Sequence, residues 1–86
     1  MSASANVTLS AIRPEQMRAA RAMLDWSRDQ LSEACGVAKR TIIRFEAGQG
    51  ETRPSTLAAI RAALEAAGVE FTDGAAPGVR LRCPNR

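Results

Sequence analysis

Three cations and one aliphatic residue crowd into six consecutive positions: Lys39, Arg40, Ile43 and Arg44. On a helical wheel of about 100° per residue these four fall within one arc, while Ile42 and Phe45 fall on the other side. A helix here turns a basic face outward and an apolar face inward. Such a face suits a polyanion with base edges, because arginines pair with guanine O6 and N7, and Lys39 can reach either a base or a phosphate. Ile43 sharpens the reading. An aliphatic side chain between arginines on an outer face has no purpose unless something covers it, and a thymine methyl is a natural partner. An ordinary solvated basic face would leave Ile43 unexplained.

The flanking residues supply the elements that position this face. Leu31 and Cys35 are four apart and point the same way, and Val37 follows Gly36, which takes a left-handed turn without steric cost. Two short helices are therefore predicted, Arg28 to Cys35 and Lys39 to Ala47, hinged at Gly36 and stopped by Gly48. Leu31, Cys35, Val37, Ile42 and Phe45 close a small core around the bend. Ser27 caps the first of these helices, with Gln30 completing a capping box. Ala38, at the cap of the second, has no side-chain oxygen, which costs about 1 kcal/mol relative to Ser or Thr. Arg28 opposes the helix dipole in its first turn; a phosphate there would relieve it, and a solvated arginine is the alternative.

Upstream, Pro14 suits a first helical turn and Glu15 complements the dipole, so a helix is predicted from Pro14 to about Trp26. Its inner face carries Met17, Ala20, Arg21 and Leu24. Arg21 is the anomaly on that stripe; its stem can cover apolar surface while the guanidinium reaches water. Downstream, Gln49 to Pro54 reads as a polar loop in which Arg53 is either a phosphate contact or a solubilising charge. Ser55 is expected to cap a fourth helix, Thr56 to Ala67, whose Leu57, Ile60 and Leu64 form the lid of the core.

Two alternating segments, 69–72 and 79–82, flank a Gly- and Pro-containing connection and predict a short hairpin with Val69, Phe71, Val79 and Leu81 inward. An isolated two-stranded hairpin is barely stable, so it packs on the helices or extends a sheet across a dimer. Arg80 and Arg82 then lie on its outer face. Residues 1–13 are expected to form a flexible arm in which Val7, Leu9 and Ile12 make a short extended run, and residues 83–86 a disordered tail.

Composition narrows the classes. The 86 residues suit one domain, and a formal net charge of +3 is compatible with nucleic acid. Only Trp26, Phe45 and Phe71 are aromatic, too few for a stacking platform for single strands. With no His, no Tyr, no metal-ligand spacing between Cys35 and Cys83 and no glycine-rich phosphate loop, neither catalytic nor metal residues are expected, nor any cofactor. No apolar run reaches the roughly 20 residues of a membrane span and no secretory leader is visible, so a cytoplasmic protein with two reduced thiols is expected.

The order of these features over residues 14 to 67 resembles the helix-turn-helix of the phage-repressor and Cro-like class, the xenobiotic-response-element family of bacterial regulators. That resemblance implies an all-α fold: a compact four-helix bundle over 14–68, here extended by the β-hairpin of 69–82. It implies that the second helix of the motif lies in the major groove of double-stranded DNA and the first crosses the backbone. By position, Lys39, Arg40, Ile43 and Arg44 match groove or base-edge contacts, and Arg28 matches a phosphate contact. Thr41 matches a position touching backbone or base. Glu46 matches an acid that pairs with an arginine of the first helix, here Arg21. Ser32 stands where the family usually has a smaller residue. The implied function is a transcriptional regulator acting as a homodimer on an inverted repeat. An antitoxin-like or adaptor protein that grips a protein partner and represses its own promoter is the alternative.

Overall fold

The computed structural model describes residues 12–72 and 77–82. The expected arm residues Val7 and Leu9, most of the hairpin connection and Cys83 lie outside them. Four helices, α1 (Pro14–Leu24), α2 (Arg28–Cys35), α3 (Lys39–Glu46) and α4 (Pro54–Ala66), precede strands β1 (Val69–Thr72) and β2 (Gly78–Leu81). The strands pair antiparallel, with Val69 opposite Leu81 and Phe71 opposite Val79. The fold is thus a helical bundle containing a helix-turn-helix, closed at one end by a small two-stranded sheet.

Local chemistry sets the boundaries. Helix α1 begins with Pro14 in its first turn and ends at Leu24, two residues earlier than the periodicity suggests. Asp25 takes a left-handed conformation at φ 58°, and its N–H bonds back to the Ala22 carbonyl, which turns the chain out of the helix before Trp26. Helix α4 begins at Pro54 rather than Thr56, so Ser55 is inside the helix and not its cap. Proline's fixed φ and missing N–H fit the first turn, and Arg53 before it is extended as a pre-proline residue prefers.

The core sits where the four helices and the sheet converge, with Met17, Leu31, Ile42, Ile60, Leu64 and Val69 fully buried. Ile12, Ala20 and Phe71 complete it, and Leu24, Trp26, Phe45 and Leu57 pack against it half-buried. The hairpin belongs to this core: β2 packs on α1 and β1 on α4. Its inward set departs from simple alternation. Val69 and Phe71 are buried, Val79 is half-buried, and Leu81 is 44% exposed. Leu81 lies beside the Gly68 corner, 3.8 Å from where a Cβ on Gly68 would stand, so α4 has already ended there and cannot cover it.

One buried polar residue joins helix to sheet. Gln16, 4% exposed, donates from Nε2 to the carbonyls of Thr72 and Gly78, at 3.0 and 2.9 Å, and so holds one strand to the other. Its Oε1 accepts from the Arg13 N–H at 2.9 Å, which satisfies an orphan donor at the start of α1. The predicted inner stripe of α1 did not contain this residue.

Candidate nucleic-acid interface

The turn between α2 and α3 decides how α3 is presented. Ser27 accepts from the Gln30 N–H at 3.1 Å while the Gln30 side chain accepts from the Ser27 N–H at 2.8 Å, a reciprocal cap for α2. Gly36 ends that helix at φ 74°, a conformation open to glycine without strain. Ser32 then reaches across the bend, its Oγ donating to the Val37 carbonyl at 2.6 Å. The hydroxyl at this position therefore fastens the hinge. Ala38 caps α3 without any side-chain hydrogen bond.

Helix α3 divides by burial as its amphipathic pattern requires. Ile42 is completely buried and Phe45 half-buried, while Lys39, Arg40, Ile43 and Arg44 are exposed, Ile43 at 41%. The outward group is brought together on one side of one helix. Its members differ in engagement. Lys39 Nζ lies 3.1 Å from Asp29 Oδ1, an exposed pair that sets the first turns of α2 and α3 side by side. The side chains of Arg40 and Arg44 have no hydrogen-bond or ion-pair partner among the described residues. Arg53 is exposed at the cap of α4, on a separate segment, and Thr41 is half-buried within α3.

Beneath this face lies a cluster of three arginines around Glu46, whose side chain is 3% exposed. Arg21 donates from Nε to Oε2 at 2.6 Å and from Nη2 to Oε1 at 3.0 Å. Its Nη1 donates to the Trp26 carbonyl at 3.0 Å, which pins the chain leaving α1. Arg28 donates from Nε to Oε1 at 3.0 Å, yet its side chain stays 45% exposed. Arg18 completes the cluster through the backbone, its Nη1 donating to the Glu46 carbonyl at 2.6 Å. Burial on its own would raise the Glu46 carboxyl; the hydrogen bonds and charges of Arg21 and Arg28 outweigh it and hold the group below the ordinary carboxylate range.

Arg28 thus has an inner partner, Glu46, as well as an outer surface. Arg18 was missed in the sequence, although it lies one turn before Arg21 on the same side of α1. Asp29 was missed too. An acid in the first turn of α2 suits the helix dipole, and that alone gave no sign of its contact with Lys39.

A family model described as Helix-turn-helix matches residues 17–70, which runs from within α1 to the start of β1. The chain belongs to this helix-turn-helix family. It is a DNA-binding transcription regulator of the Cro and repressor-like type. No curated protein matches it at a significant level. Among the described residues of this helix-turn-helix protein, no helix is long and apolar enough to cross a membrane, and no group of His, Cys, Asp or Glu could hold a metal ion.

Proposed function

We propose that this regulator reads a specific double-stranded sequence as a homodimer, with α3 of each copy in the major groove of one half of an inverted repeat. One observation supports it above others: Arg40, Ile43 and Arg44 are exposed on the side of α3 opposite the buried Ile42, and neither arginine is paired with another described residue. In this reading Lys39, Arg40, Ile43 and Arg44 meet base edges, the arginines taking guanine and Ile43 a thymine methyl. Arg28, Thr41 and Arg53 hold phosphates and fix the register without reading sequence. Each copy measures 36 × 34 × 20 Å, so two side by side can address half-sites about one helical turn, or roughly 34 Å, apart.

Selecting bound sequences from a random duplex pool tests this directly. An enriched motif with two-fold symmetry is expected, and its recovery from a single-copy complex would argue against the dimer. Uniform recovery of all sequences would overturn the reading.

A further inference from the structure

Helix α3 stops in a way that returns the chain to Arg44. The Gln49 N–H donates to the Arg44 carbonyl at 2.9 Å and the Gly48 N–H donates to the Phe45 carbonyl at 3.0 Å, around Gly48 at φ 71°. Beyond this reversal, Gly50 also adopts a left-handed conformation, φ 67°, and the side its Cβ would occupy faces the Arg44 guanidinium. A Cβ on Gly50 would stand 2.9 Å from Arg44 Nη2 and 3.8 Å from Cζ. On Gly48 the same atom would meet nothing within 4 Å. The two glycines therefore meet the same backbone demand, but only one has a side chain resting on it.

We infer that Gly50 is a positioning residue for sequence recognition: its bare backbone is the seat on which the Arg44 guanidinium lies before DNA arrives. This rests on the reading of Arg44 as a base-contacting residue. Nothing else among the described residues holds that guanidinium by a hydrogen bond or ion pair. A long cationic side chain left unrestrained must surrender its rotamer freedom on binding, and a seat that restrains it beforehand reduces that loss. A Cβ at 2.9 Å is closer than real contacts allow, so something must shift. The end of a flexible side chain shifts more easily than backbone, and the displacement falls on the group that must approach a guanine edge with defined geometry.

The test compares Gly50→Ala with Gly48→Ala on the full chain, using the duplex enriched by selection and single-base variants of it. Both substitutions carry similar left-handed strain and should lower the melting temperature alike. Gly50→Ala should also reduce discrimination at the base pair assigned to Arg44 by roughly tenfold, while Gly48→Ala leaves the preference profile intact. In an Arg44→Ala background, Gly50→Ala should change the profile no further. Gly50→Asn supplies the same Cβ with a residue that tolerates positive φ, and serves if the alanine variant does not fold. Matching profiles for the Gly48 and Gly50 variants would overturn the inference with the DNA reading intact. A profile that Arg44→Ala leaves unchanged would overturn the inference together with the base-contacting role of Arg44.

Discussion

Arg21 and Glu46, on α1 and α3, meet through two hydrogen bonds of 2.6 and 3.0 Å beneath the exposed face of α3. The pair couples the first helix to the end of the helix that faces outward. Removing Arg21 would leave a buried carboxylate without its main donor. Arg21→Ala is therefore expected to cost about 3 kcal/mol, the lower part of the usual range because Arg28 keeps one bond to Glu46. Urea unfolding at neutral pH measures it, and an unchanged midpoint would contradict the coupling.

The same acid sets the response to pH. A carboxyl whose folded pKa lies below its unfolded value stabilises the fold fully above that unfolded value. The contribution disappears as pH falls through the lowered folded value. Thermal melts from neutral pH downward should show wild type losing stability in the acid range. Glu46→Gln should be less stable at neutral pH, with the gap narrowing on acidification; a constant gap would show that Glu46 charge is not involved.

Arg28 and Arg44 should fail differently. Arg44→Ala is expected to lose about 1 to 3 kcal/mol of discrimination at one or two base positions. Arg28→Ala should weaken binding to all sequences alike, lower the salt slope by about 1, and slightly lower the melting temperature because Glu46 loses a donor. Equal, sequence-independent effects from the two variants would refute the division of roles.

Gln16→Ala would remove the α1 side chain that donates to a carbonyl of each strand. A loss of about 1 to 3 kcal/mol is expected, with faster amide exchange confined at first to the hairpin. Uniform exchange acceleration across the helices would show that the bond does not act locally.

Ala38→Ser restores the missing cap. The extended backbone of Ala38 already suits a cap residue, so a gain of about 1 kcal/mol is expected from chemical unfolding.

The helices and the bend were legible because each rests on local chemistry: the Ser27 and Gln30 box, the Gly36 turn, and the spacing of Leu31, Ile42 and Phe45 are all written within a few residues. Pro54 was misassigned for a local reason as well, since Ser55 offered a cap and obscured the fit of proline to the first turn. Contacts between distant residues were less accessible. Gln16 meets carbonyls 56 and 62 residues away, and no periodicity encodes that. Leu81 fits the alternation of its strand, but its exposure depends on where α4 stops. Arg28 looked like a surface cation because its inner partner, Glu46, sits a whole helix away.

The hairpin has a bearing on how the protein is born. Val69 and Phe71 complete a core shared with Met17 of α1, yet they are synthesised after all four helices. At about 5 to 20 residues per second, the strands that seal the bundle are synthesised on the order of a second after α4. Until then the core that Met17 and Ile60 share with Val69 and Phe71 is incomplete.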